Sequence, residues 1–162
     1  MASLPYAQLI EIKRWADRAL YAAVEDAFPA LGPEDQGLLL RVLDHIHAVD
    51  LIFQHHLRGL PHGFTAARSE TMPGLAALAA GSRAVGDWYG GHVGALAAAA
   101  FDEPLDFVFT SGKPARMTRG QIILHVCLHG TYHRGNAGAL LQLHGLAPSP
   151  DSITDYLEAA AA

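Results

Sequence analysis

The feature that most constrains this chain is one segment with a helix signal at each end and a histidine at every fourth position. Thr118-Arg119-Gly120-Gln121 fits the capping box that opens a helix. An apolar run follows and carries His125, His129 and His133. It reaches about His144 before Gly145 and Pro148 stop it. At about 100° per residue the three histidines point to roughly 0°, 40° and 80°, and Asn136 and Leu140 continue the stripe at roughly 20° and 60°. The spacing predicts a stripe turned inward among apolar neighbours.

Three more long helices are expected upstream. Ser3 and Pro5 precede Leu9, Ile12, Trp15, Ala19, Ala22 and Ala23, whose spacing predicts a helix from about Leu4 to Ala27. Phe28-Pro29 and Gly32-Pro33 break it, and Pro33, Glu34 and Asp35 suit the first turn of a second helix reaching about Leu57. Residues 58–72 read as a loop. A third helix is expected from near Pro73 to about Ala100, weakened by Gly81, Gly86, Gly90, Gly91 and Gly94. Phe101 to Met117 reads as a short hairpin or extended loop, and Asp151 to Ala160 as a last short helix. The expected fold is all-α: a four-helix bundle, one domain over 1–162, with the hairpin or loop before the last long helix.

Composition narrows the partners. Eleven Lys and Arg against sixteen Asp and Glu give a net charge of −5, with no basic run, which argues against nucleic acid and anionic membrane. The uncharged run Trp88–Phe101 is shorter than the ~18–20 apolar residues a membrane span needs. The N-terminus reaches Glu11, Lys13 and Arg14 before any apolar core, unlike a signal peptide, so a cytoplasmic protein is expected. A lone cysteine, Cys127, excludes an internal disulfide and a cysteine-rich zinc site. It lies ~160° from His129 and reads as a small buried hydrophobe. Poorly charged outer faces suggest a homodimer.

Ten histidines are the feature left to explain. Two histidines at i and i+4 can grip one metal ion. His125 and His133 are ~12 Å apart along the axis, so the pair is either His125/His129 or His129/His133. Another helix should supply a third ligand. His45 sits on the apolar stripe of the second helix with Leu38, Val49 and Ile52. His56 shares that stripe ~16 Å further along, and His47 is on the other face. His92 on the third helix is a rival third ligand. His47, His55 and His62 read as solvated, Asp44 as pointing sideways or outward, and His144 as a helix-end residue favoured by the dipole.

At these residues the sequence resembles the DinB/YfiT-like family of metalloenzymes. Leu43-Asp44-His45, then Val49-Asp50 and Leu57-Arg58-Gly59, is similar to that family's second-helix signature. His129-Gly130-Thr131-Tyr132-His133-Arg134-Gly135-Asn136 is similar to its HxxxHRGQ signature. The resemblance implies a four-helix bundle holding a divalent metal through His45, His129 and His133, with His125 beside the ligands. Three positions depart from the pattern: Asp44 stands where asparagine is common, Tyr132 where many members carry another histidine, and Asn136 replaces the usual glutamine.

Three neutral imidazoles leave a divalent ion with open positions, and such an ion acidifies a bound water or thiol. Histidine ligation suits Zn, Ni, Fe, Co or Mn alike. Tyr132, Arg134 and Asn136 are the pocket candidates, Arg134 either as a partner for an anionic substrate or in a structural salt bridge to a carboxylate of the chain. Relatives by resemblance include thiol-dependent S-transferases. The first expectation is therefore a metal-dependent transferase or isomerase acting in stress or detoxification, with a low-molecular-weight thiol as co-substrate and a small-molecule substrate. The alternatives are a hydrolase, with Glu70, Asp87 or Glu103 as base, and a non-catalytic metal-binding stress protein.

Overall fold

The computed structural model describes residues 4–162, so the expected cap Ser3 lies outside the described residues. Four long helices dominate: α1 (Leu4–Ala27), α2 (Pro33–Arg58), α3 (Leu75–Ala95) and α4 (Arg119–Leu143). A short α5 (Ile153–Ala161) closes the chain, and 3-10 turns occupy Phe28–Ala30 and Ala98–Asp102. Strands β1 (Pro104–Val108) and β2 (Pro114–Thr118) pair antiparallel, from Pro104 opposite Thr118 to Val108 opposite Pro114. The architecture is the expected all-α bundle, with the hairpin form realised before α4. α1 packs along α3 and α4, and α2 packs along the same two helices. Among the described residues no helix is long and apolar enough to cross a membrane.

The helix ends follow from local chemistry. Pro33 opens α2, where its missing N–H costs nothing, and Glu34 and Asp35 face the positive end of the helix dipole. α4 starts with both halves of the capping box: Gln121 N–H donates to Thr118 Oγ1 at 3.1 Å, and Thr118 N–H donates to Gln121 Oε1 at 2.8 Å. Thr118 is also the last residue of β2, so the hairpin hands the chain directly to α4. Phe107 and Met117 pack on the apolar core and anchor that hairpin.

Boundary differences have simple causes. α3 begins at Leu75, two residues after Pro73, and ends at Ala95 instead of running to Ala100. Leu96 and Ala97 turn extended there, and residues 98–102 form a tighter 3-10 turn around buried Phe101. α5 starts at Ile153, because the Ser152 hydroxyl accepts from Asp155 N–H and caps it there.

Two apolar clusters fill the bundle, one around Phe53, Tyr89, Ile122 and Val126, the other around Leu20, Leu43, Leu78 and Leu141. Beside them lies a buried charge network. Lys13 on α1 donates to Asp17 at 2.8 Å and to Asp50 on α2 at 2.7 Å. Arg134 on α4 donates to Asp17 at 2.8 Å and, through a two-pronged fork, to Asp151 at 2.8 Å. Burial opposes the charge on Lys13, yet the two carboxylates more than compensate and hold its pKa above the usual value. Burial also raises Asp50, to about 6. Buried pairs of this kind contribute little net stability, but removing one partner strands the other, at a cost of about 3–5 kcal/mol.

Candidate metal centre

The contact between α2 and α4 brings three imidazoles to one point. Nε2 of His45 lies 3.0 Å from Nε2 of His129 and 3.1 Å from Nε2 of His133. All three side chains are half-buried, and their ligand atoms lie within 4.8 Å of one another. An imidazole nitrogen binds zinc at about 2.0–2.1 Å, so nitrogens about 3 Å apart fit around one ion.

The surrounding groups orient the rings for that purpose. Nδ1–H of His45 donates to the Ala67 carbonyl at 2.7 Å, which leaves Nε2 as a bare lone pair. The Asn136 side-chain amide lies 3.2 Å from Nδ1 of His133. The nearer atom is the amide nitrogen Nδ2; with the amide turned over, its oxygen would accept from Nδ1–H and leave Nε2 of His133 in the same state. Nδ1 of His129 is buried without a hydrogen-bond partner among the described residues. With each Nε2 unprotonated, three lone pairs converge on one spot and repel one another, and a cation there removes the repulsion. The donor set therefore fits a metal ion.

The electrostatics agree. Burial pushes His129 down to about 3, with further lowering from His133, His45, His125 and the Lys13 ammonium. Burial, then His45, lowers His133 as well. Both rings are neutral at pH 7 and free to donate lone pairs. Gly130, next to His129, makes room for the charge network behind the site. A Cβ there would stand 2.9 Å from Nη1 of Arg134 and 3.3 Å from Cε of Lys13.

The remaining predicted residues divide. His125 lies one turn from His129, ring centroids 5.6 Å apart, and packs on Phe53 at 4.6 Å, outside the convergent set. Tyr132 is 69% exposed on the rim, with its ring edge-on to His133 at 5.0 Å. Asn136 is exposed but touches His133. Arg134 follows its salt-bridge alternative: it is 3% exposed and bound to Asp17, Asp151 and Thr131. His92 does not reach the cluster but stacks on Trp88 at 4.7 Å. Cys127 is buried, as expected, and its thiol is pushed up to about 12 by that burial.

Other expectations are corrected. The α4 stripe is half-buried along its histidines and exposed at Asn136, because it lies at the edge of the α2–α4 seam and not in the core. Asp44 is fully buried instead of outward, accepting from Ser69 N–H at 3.0 Å. His47 and His62 are half-buried, not solvated; His47 fits against Gly81, where a Cβ would come within 2.5 Å of its ring. His55 is half-buried, with Nδ1–H donating to the Leu51 carbonyl at 2.8 Å. His144 sits at the end of α4, as expected, and pairs with Asp35 at 3.1 Å. The sequence reading missed Ala67 and Lys13. A backbone carbonyl carries no residue-type signal, though Lys13 was findable as a charge on the apolar side of α1.

A helical bundle with three histidine nitrogens converging across neighbouring helices defines a class of proteins built to hold a metal ion inside a bundle. The chain matches the model of the DinB family over residues 5–162, and it belongs to that family. Protein DinB of Bacillus subtilis (strain 168) is 40% identical to it over 55 residues, 34% of this chain and 30% of that protein. The chain thus matches less than a third of that curated relative's length. No solved structure matches the chain. Family membership and the three-histidine group together fit metal binding.

Proposed function

We propose that His45, His129 and His133 hold a divalent metal ion and that the protein is a metal-dependent enzyme using a low-molecular-weight thiol, in transfer or isomerisation on a small-molecule electrophile. The observation that carries this reading is the convergence of three Nε2 atoms at a half-exposed seam, which leaves one side of the site accessible to solvent. A cation held there supplies Lewis acidity, favouring the deprotonated form of a thiol or a water beside it.

The residues supply the rest. Ala67 and Asn136 fix the rings of His45 and His133. Tyr132 presents an aromatic face at the rim, suited to an apolar part of a substrate. A hydrolase also needs a general base. Asp87 is paired with Arg14 and Glu103 with Arg119, so neither is free for that role. This supports the thiol reading. Glu70 favours the hydrolytic alternative, since it lies on the loop whose Ala67 and Ser69 pack beside α2.

The test is turnover of a panel of electrophiles with cysteine or glutathione, using metal-loaded protein and the His129→Ala variant. Thiol-dependent turnover lost in the variant supports the reading. Equal rates sink it, and ester hydrolysis that persists without thiol moves the assignment to the hydrolase. Metal binding without turnover leaves the non-catalytic reading.

A further inference from the structure

A second imidazole pair lies at the far end of α2, and the three-histidine centre does not use it. Gly59 ends the helix in the left-handed region, at φ 65°, which glycine adopts without steric cost. Leu60 N–H then bonds back to the His55 carbonyl at 3.0 Å, and Pro61 stiffens the turn. The chain folds over the end of the helix and sets His62 against His56, ring centroids 5.1 Å apart and 75° between planes. Phe107 of the hairpin stacks on the other face of His56 at 4.3 Å and holds that ring still.

Both rings carry an unsatisfied atom. Nε2 of His56 and Nδ1 of His62 are buried with no hydrogen-bond partner among the described residues. A buried polar nitrogen left without a partner is costly, and here two occur on adjacent rings. Both rings line one cavity of about 380 Å³; Asp106 lies on its wall, with its carboxylate held by Arg116 at 2.7 Å. The C-terminal end of a helix carries a partial negative charge and favours a cation. Eleven residues of helix separate His56 from His45, ~16 Å along the axis, so one ion cannot serve both places.

We infer that His56 and His62 form a second cation site, binding a divalent transition-metal ion of the imidazole-preferring class between the end of α2 and the hairpin. Its ligands are borderline nitrogens, which suit Zn(II), Ni(II) or Cu(II) over Mg(II) or Ca(II). An ion there clips the turn after α2 to helix α2 itself, beneath Phe107. The inference rests on different residues from the proposed function and stands or falls separately.

The test is titration of untagged, metal-stripped protein with Zn(II), with bound metal counted by equilibrium dialysis and elemental analysis. The intact protein is expected to bind two ions per chain, and His62→Ala and His129→Ala one each. His56→Gln should match His62→Ala, and circular dichroism checks that each variant folds. If the three-histidine reading fails but this one holds, the intact protein binds one ion, lost in His62→Ala and kept in His129→Ala. A count that neither His56→Gln nor His62→Ala lowers overturns the second site. With Cu(II) in the His129→Ala background, nitrogen hyperfine splitting that disappears on adding His62→Ala is expected; splitting that persists counts against it.

Discussion

Nε2 of His45 and Nε2 of His129 stand 3.0 Å apart although 84 residues separate them in the chain. With Nδ1–H of His45 spent on Ala67, its Nε2 offers a lone pair that either Nε2–H of His129 or a cation can take. The contact makes sense around a cation, so metal content should depend on both residues. His45→Ala and His129→Ala should each lower bound metal by one ion per chain, measured by elemental analysis after dialysis. A chelator should lower the melting temperature of the native protein by more than that of His129→Ala. Saturating metal at a thousand times its dissociation constant stabilises the folded state by about 4 kcal/mol.

Asn136 should matter through His133 alone. Its amide holds Nδ1 of that ring at 3.2 Å. Loss of such an outer partner typically costs about 10–100-fold in metal affinity. Asn136→Leu should therefore weaken metal binding by about tenfold or more without lowering the stability of the metal-free protein. Asn136→Asp, which still accepts from Nδ1–H, should restore it. Equal affinities in all three proteins would remove Asn136 from the site.

Gly130→Ala tests the space behind the centre. In a helix interior alanine is favoured over glycine by about 1 kcal/mol. Here the new Cβ would meet Arg134 at 2.9 Å, and that guanidinium is pinned to Asp17. The chain cannot yield without breaking a buried ion pair. The substitution should destabilise the fold by about 1–3 kcal/mol in urea unfolding, as overpacking does. A stabilised variant would contradict the packing described.

Acid should destabilise the metal-free protein from just below neutrality. His47, His56, His92, His125, His129 and His133 are all held below the ordinary 6.5, each first by burial. Below 6.5 the unfolded chain therefore binds more protons than the folded one, so stability rises with pH through this window. It is lost as pH falls from about 6.5 towards the folded-state values. Asp50 acts the other way, since its pKa is raised, but it is one group against six. The urea midpoint in the presence of chelator should be lower at pH 5 than at pH 7. An equal or higher midpoint at pH 5 would refute this balance.

Periodicity and caps made the fold legible in the sequence. The capping box at Thr118 and the stripe at 125, 129 and 133 are local patterns, and local patterns survive folding. His45 was readable as a face of α2, but choosing His129/His133 as its partners took the family signature, since spacing alone allowed two pairs. What stayed hidden depends on long-range contacts. The salt bridge of Arg134 was foreseeable but its partner was not, because Asp17 is 117 residues away. Asp44 looked outward because the loop that covers it, through Ser69, has no periodic signal. His47 looked solvated because the room for it is made by Gly81 on another helix.

Lys13, Asp50, Asp17, Arg134 and Asp151 draw on α1, α2, α4 and the segment before α5, so each residue answers to partners elsewhere in the chain. Such a set resists change one position at a time, because every single loss strands an ion. Exchanged together for apolar groups of matching volume, the same positions would be neutral or even favourable. Divergent copies of this bundle should then differ at these places in concert, or not at all.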